Sequence, residues 1–404
     1  MSAQIGHLSP ELAWAACTPW TELAPRIAND EYLDRIERAQ RLLDTIEADA
    51  LLVTAGTSLR YFTGIPWGAT ERLVAMLLPR RGEPAMICPA FEEGSLRAEM
   101  AHPIAMAFWE EHDDPYALVA GCMGVRGAAT LALDPAAPFG VYTGLRETIG
   151  NRAIIDAAPV IDGCRARKSA AELALMKQAT AMTLKVQALA AGMLHEGVAA
   201  GEVKRFIDGA HRALGADNGS TFCIVQFGEA TSYPHGVPGE QYLQPNQVVL
   251  IDTGCSVAGY QSDITRTYVF GTPNTEHARI WDLERAAQQA AFDAVRPGVP
   301  CADIDTAARR VIEAGGLGPD YRLPGLPHRT GHGCGMAIHE APYLVRGNNA
   351  PLAPGNCCSD EPMIVIPGRF GIRLEDHFYV TEEGGAWFTE PSPSIDQPFA
   401  KGLA

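Results

Sequence analysis

Apolar residues along this chain switch between two spacings, and the switches mark out its elements. In 31–47, EYLDRIERAQRLLDTIE, apolar side chains recur every three or four positions on a charged background, which predicts an amphipathic helix. Short apolar runs follow at 50–56 (ALLVTAG), 59–64 (LRYFTG), 72–79 (RLVAMLLP), 83–90 (EPAMICPA) and 130–136 (TLALDPA). Gly, Pro and Arg punctuate them, so each predicts a short strand. Residues 30–160 therefore read as a mixed α/β domain, preceded by a surface arm or short helix.

A second regime opens near residue 165. The basic, polar segment RARKS leads into Ser169-Ala-Ala-Glu172, a capping box that predicts a long helix through Leu194. Residues 276–295 and 302–315 predict two further helices joined by the turn RPGVPC. Strand-like segments lie between and after them: TFCIVQFG, QVVLIDTGCSV, QSDITRTYVFG and MIVIPGRFGIRLEDHFYV. Strands and helices do not alternate strictly, so the second half reads as α+β with mostly antiparallel strands. The expected organisation is an N-terminal α/β domain over 1–165 and an α+β domain over 166–404.

Composition narrows the function. With 48 acidic against 32 basic residues the net charge is −16, which argues against nucleic acid or an anionic membrane as partner. No apolar stretch approaches the 18 or so residues needed to span a bilayer. The opening MSAQIGHLSPELAW has neither a basic n-region nor an apolar h-region, so it does not read as a signal peptide. Ten cysteines without a CxxC pair fit reduced thiols and a cytoplasmic location.

Candidate chemistry sits in three segments of the second half. In VVLIDTGCSVAGYQSDITRTYVFG (248–271), a hairpin folding about Val257-Ala258-Gly259 would put Asp252 and Asp263 nearly opposite each other. Opposed residues on one sheet face have Cβ atoms about 5 Å apart. In EPMIVIPGRFGIRLEDHF (361–378), folding back about Gly368 would put Glu361 opposite Glu375. Carboxylates that close repel and need a shared proton or a cation. The third segment, HRTGHGCGMAIHEAPYL (328–344), concentrates His328, His332 and His339 among glycines that favour strand or loop over helix. His235 lies in a Pro/Gly-rich loop, GEATSYPHGVPGE. Four carboxylates and an imidazole form a hard donor set that balances two divalent cations and suits Mn²⁺, Co²⁺ or Zn²⁺.

The order Asp252…SDITRT…GHGCG…HE…EP…RLED resembles the creatinase/methionine aminopeptidase-like ("pita-bread") metallopeptidases, and within them the compact Xaa-Pro dipeptidases, or prolidases. DALLVTAGTSLRYFTGIPWG and KSAAELALMKQA extend the resemblance over nearly the whole chain from residue 30. It implies a pita-bread catalytic domain behind a creatinase-type N-terminal domain. It also implies two divalent ions, Mn²⁺ foremost, held by Asp252, Asp263, His332, Glu361 and Glu375, with Asp263 and Glu375 shared between them. Glu361 would act as general base on a metal-bridging hydroxide. His235 and His339 would meet the substrate and the tetrahedral intermediate. His328 and Arg373 would line the pocket, with Arg373 facing the proline carboxylate. The implied substrate is a small Xaa-Pro peptide, and the implied assembly a homodimer or paired dimers.

Two positions depart from the family pattern: Met363 follows Glu361-Pro362 where glycine is usual, and Ala337 replaces an acidic residue two before His339. Both bear on pocket shape and leave the ligand set complete, which argues against the metal-free creatinases. Three rivals were weighed. An aspartic peptidase would use Asp252-Thr253-Gly254, but a single-chain enzyme of that class needs two such motifs. A non-catalytic binding module would ordinarily have lost ligands. An Xaa-Pro aminopeptidase would differ only in loops that admit longer peptides.

Overall fold

The computed structural model describes residues 5–125 and 127–400. The chain divides into two compact units, Ile27–Arg165 and the remainder. A short helix, α1 (Pro10–Ala15), precedes the first unit. That unit runs α2 (Asn29–Thr45), β1 (Ala50–Thr54), α3 (Thr57–Thr63), β2 (Ala75–Pro79), β3 (Ala85–Pro89), α4 (Glu93–Glu99), β4 (Ala105–Trp109), α5 (Pro115–Val125), β5 (Thr130–Leu133), α6 (Phe139–Thr148), β6 (Ala153–Asp156) and α7 (Ala158–Arg165). Its six strands form one sheet in the order β4-β3-β2-β1-β5-β6. The β1–β2 and β2–β3 pairs are antiparallel and the outer pairs parallel. Leu52, Leu77, Ile87 and Leu131 are fully buried in its core.

One predicted strand is a helix. LRYFTG belongs to α3, which Gly64 terminates in the left-handed region at φ 81°. Leu59, Tyr61, Phe62 and Thr63 are all buried. With no polar face, the segment carries none of the helical periodicity that separates a short helix from a buried strand.

The second unit opens with the predicted capping box: Ser169 accepts from the Glu172 N–H and starts α8 (Ala170–Gly192). Then come α9 (Ala200–Leu214), β7 (Ser220–Phe227), β8 (Gln247–Val257), β9 (Tyr260–Gln261), β10 (Ile264–Phe270), α10 (Thr275–Ala294) and α11 (Cys301–Ala314). The remainder is strands β11 (Gly331–Gly333), β12 (Glu340–Leu344), β13 (Cys357–Asp360), β14 (Met363–Ile366), β15 (Phe370–Arg373), β16 (Asp376–Val380) and β17 (Gly385–Trp387). All pairings here are antiparallel: β10-β8-β7, β12-β11-β13-β16-β17 and β14-β15.

Alternation along β8 explains the layering. Val249, Ile251 and Cys255 enter the core under α8 and α9, while Val248 and Leu250 enter the core shared with α10 and α11. Asp252 continues the second series, so its carboxylate lies between the strand layers.

The N-terminal boundary differs from expectation. The described residues up to Arg26 cluster with the second unit, not with the α/β domain. The Gly6 N–H donates to the Ala191 carbonyl and the Trp20 N–H to the Leu214 carbonyl, while Trp14 packs edge-on against Phe206. Ala13 is fully buried there. Burial of this apolar arm on α8 and α9 outweighs its distance along the chain.

The same core holds a titratable group. His211 on α9 is fully buried between the hydroxyls of Ser220 (2.8 Å) and Thr183 (3.1 Å), and burial pushes its pKa down to about 4. The folded state therefore keeps it neutral, whereas the unfolded chain takes up a proton near pH 6.5. Stability from this site is complete above pH 6.5 and is lost as pH falls toward 4, by about 3 kcal/mol. Urea midpoints at pH 7 and pH 4 should fall further apart in the wild type than in His211→Gln. Equal differences would show that His211 does not contribute.

Candidate metal centre

Two hairpins and one short strand build the site. In the first, β8 turns through Ala258 (φ 50°) and Gly259 (φ 87°) into β9, with Val257 paired to Tyr260. Two central residues with positive φ define the primed turn that suits a hairpin's twist. This centre sets Asp252 opposite Thr265, so the expected pairing of Asp252 with Asp263 is off by two residues. An even shift keeps side chains on their face, and Asp263 stays beside Asp252 as a diagonal neighbour. In the second hairpin, β14 and β15 pair Met363 with Arg373 and Ile366 with Phe370 around residues 367–369. Continuing that register by two residues places Glu361 against Glu375, as expected. Strand β11 pairs with β13 and delivers His332.

The Asp252-Thr253-Gly254 signature has a packing explanation. A Cβ on Gly254 would lie 1.8 Å from the Ser262 carbonyl oxygen, so the strands' close approach admits only glycine. Asp252 meets an arginine and the neighbouring Asp263, not the partner aspartate of a second such motif.

Asp252, Asp263, His332 and Glu375 are buried and Glu361 is nearly so. His332 Nδ1 lies 3.0 Å from the Gly333 carbonyl, which can only accept, so the ring proton sits on Nδ1. Nε2 then presents its lone pair 3.0 Å from Glu361 Oε1 and 3.7 Å from Asp263 Oδ2. Ser359 fixes both partners: its Oγ accepts from the His332 backbone N–H at 2.9 Å and donates to Glu361 Oε1 at 3.1 Å. Thr265 donates to Glu375 Oε2 at 2.7 Å. Glu375 Oε1 and Asp252 Oδ1 are buried with no hydrogen-bond partner.

These acids oppose one another. Burial, then the Glu375 charge, pushes the Asp263 carboxyl well above its ordinary pKa; burial and Glu361 do the same to Glu375. Burial also raises Asp252, against the pull of Arg373. Glu361 goes the other way: burial disfavours its charge, but a proton on His332 would hold it below the usual carboxylate range. Converging lone pairs, orphaned buried oxygens and mutually raised carboxyls are what a divalent cation satisfies. Among the described residues, donor atoms lie within 4.8 Å of one another in three groups: Asp263, His332 and His339; His332, Glu361 and Glu375; and Asp263, Glu375 and His377. Asp252 falls outside these groups, and Arg373 engages its Oδ2.

Beside these donors lies a cavity of about 440 Å³ lined by His235, His328, Arg329, His339, Glu361 and Arg373. All four substrate-side residues expected from the sequence therefore meet there. His328 donates through Nδ1 to the Arg329 carbonyl at 2.7 Å, leaving Nε2 buried and without a partner. His339 stacks edge-on against His332 at 4.1 Å, and burial above all lowers its pKa to about 4. Arg373 lines the cavity as expected and also engages the site's own groups. Its guanidinium donates to Thr265 Oγ1 at 3.0 Å, to the Pro234 carbonyl at 3.4 Å and to Asp252. Its first partners are the site's own groups.

Sequence reasoning missed three groups. Thr265, inside SDITRT, orients Glu375 and accepts from Arg373. Arg329 lines the cavity, stacks on Tyr343 at 4.6 Å, and makes no ion pair among the described residues. His377 shares a strand face with Glu375, a placement that the strand period of two makes readable.

Comparison with known proteins agrees with this layout. The model of metallopeptidase family M24 matches residues 174–382, and that of the Creatinase/Prolidase N-terminal domain matches 35–167. A probable dipeptidase PepE of Mycobacterium tuberculosis is 35% identical over 342 residues, covering 83% of this chain and 88% of that protein. The crystal structure of a dipeptidase PepE from Mycobacterium ulcerans superposes with a TM-score of 0.84 at 36% identity, over 91% of this chain and 97% of that one. A recombinant prolidase from Thermococcus sibiricus gives 0.81 at 30% identity, over 89% and 97%.

Proposed function

This chain belongs to metallopeptidase family M24, with a pita-bread catalytic domain behind a creatinase/prolidase-type N-terminal domain, and on that premise we propose that it hydrolyses Xaa-Pro dipeptides. One observation carries the reading: His332, Asp263, Glu361 and Glu375 converge beside a cavity whose other polar walls are three histidines and two arginines. Asp252, Asp263, His332, Glu361 and Glu375 would hold two divalent ions, Mn²⁺ by preference, with Co²⁺ or Zn²⁺ as substitutes. Bound there, such ions would polarise the scissile carbonyl and acidify a water.

The chain's own residues do the rest. Glu361, held at Oε1 by the Ser359 hydroxyl, accepts the proton of the attacking water and returns it to the proline nitrogen as the C–N bond breaks. His339, neutral at pH 7, and His235 face the carbonyl oxygen that gains charge. A cavity of about 440 Å³ suits a dipeptide better than an extended chain. Arg329, uncommitted to any acid among the described residues, is the better receptor for the proline carboxylate, and Arg373 offsets the charge on Asp252. Ten free thiols and no helix able to cross a membrane among the described residues support a cytoplasmic setting. A homodimer is the proposed assembly.

The test is a paired assay of Ala-Pro and Ala-Pro-Ala after EDTA treatment and Mn²⁺ restoration. The expected result is no activity in EDTA, and Mn²⁺-restored cleavage of Ala-Pro at least about 10-fold faster than of the tripeptide. Preference for the tripeptide would make the protein an Xaa-Pro aminopeptidase. Activity that survives EDTA would remove the metal reading.

A further inference from the structure

We propose that His377 is a sixth donor of the metal centre, a second imidazole serving the cation held by His332, Glu361, Asp263 and Glu375. The inference rests on the metal reading above and adds to it a residue outside the expected ligand set. His377 lies two residues beyond Glu375, and alternation along the strand turns both side chains to one face. Asp376 between them points the other way, to Arg266 at 2.6 Å. Strand pairing sets His377 opposite Ser359, whose Oγ accepts from the His332 backbone N–H. The two imidazoles therefore flank Ser359 on neighbouring strands.

Three observations point inward. One His377 ring nitrogen lies within 4.8 Å of carboxylate oxygens of both Asp263 and Glu375, which are within that distance of each other. The side chain is fully buried. Neither ring nitrogen has a hydrogen-bond partner. A buried imidazole with no partner is an unusual expense for a core, because phenylalanine or leucine would fill the space without a desolvated polar atom. Placed against two carboxylates that need a cation, its lone pair has an obvious use. A second imidazole makes the donor set richer in nitrogen, which strengthens binding of the substitutes Co²⁺ and Zn²⁺ relative to a five-donor site.

The experiment uses the full chain, stripped with EDTA and reloaded. Pulsed EPR on the Mn²⁺ form counts coordinated nitrogens, and calorimetry with Co²⁺ measures affinity for wild type, His377→Gln, His377→Thr, His332→Gln and Asp263→Asn. Two imidazole nitrogens are expected in the wild type and one in either His377 variant, with Co²⁺ binding about 10-fold or more weaker. A single imidazole in the wild type overturns the proposal without recourse to any variant, whether or not the variants fold. So does Co²⁺ affinity unchanged by His377→Gln. If Asp263→Asn and His332→Gln also bind Co²⁺ like the wild type, the metal reading falls as well. If those two lose binding while the His377 variants keep it, only the sixth donor is wrong.

Discussion

Asp263→Asn should lower kcat/KM for Xaa-Pro hydrolysis by about 10³-fold or more and, in EDTA, should raise the melting temperature. The activity loss follows from the residue's place. Asp263, like Glu375, belongs to two of the three donor groups, and about 4 kcal/mol of transition-state stabilisation corresponds to that factor. The stability gain has the opposite origin. Buried beside Glu375, Asp252 and Glu361, the Asp263 carboxyl is pushed well above its ordinary pKa by burial first and by those charges next. Asparagine keeps the shape and removes the charge. Relief of about 1 kcal/mol would shift the transition upward by about 2–4 °C in a domain of this size. Adding Mn²⁺ should reverse the order, stabilising the wild type by mass action and the variant hardly at all. Differential scanning fluorimetry with EDTA and with Mn²⁺ reads both states. A variant less stable than wild type in EDTA would mean that Asp263 serves as a structural hydrogen-bond partner, and the metal assignment would lose its central acid.

The candidate site was more legible in the sequence than parts of the fold, for physical reasons that differ from residue to residue. The second hairpin could be read because Pro367-Gly368 lies midway between Glu361 and Glu375 and the ladder on either side is regular. The first was misread by two residues because the turn's conformation, with Ala258 as well as Gly259 at positive φ, decides the register, and alanine gives no signal of that. The even error kept both acids on one face, so the chemistry survived the mistake. Helix α3 was hidden because all of its residues except Thr57 and Arg60 are buried. Strands β4 and β6 form the sheet's edges; β4 is an apolar run, AMAFW, but it is largely half-exposed to exposed, so burial does not mark it. No local pattern could show that the N-terminal arm covers α8 and α9, because that contact joins segments some 180 residues apart. His377 follows a recognised motif without belonging to it, and the charge of Arg373 alone does not reveal its bonds to Asp252 and Thr265.

The second large effect is expected at Lys168, where Lys168→Met should destabilise the protein by about 3–5 kcal/mol. Its Nζ lies 2.7 Å from Glu340 Oε1, and the two side chains are 1% and 7% exposed. Burial alone would lower the lysine's pKa, yet the Glu340 charge more than compensates and raises it, so Lys168 stays protonated across the ordinary pH range. Methionine fills the space of the lysine stem and takes the counter-charge away from the buried Glu340, which also accepts from the Ala337 N–H at 3.3 Å. The penalty is the desolvation of an uncompensated carboxylate, so removing the second charge should recover most of it. Urea unfolding of Lys168→Met, Glu340→Gln and the double variant forms a cycle whose coupling term should be a large fraction of the single losses. Glu340 directly follows His339, and its carboxylate anchors the loop that aims that ring at the cavity. The single variants should therefore lose kcat beyond what their unfolded fraction explains at 25 °C. The double variant should regain stability more fully than activity, because two neutral side chains restore packing without restoring the anchor. Additive stability losses would show that Lys168 and Glu340 act independently, and full recovery of activity in the double variant would detach the ion pair from the positioning of His339.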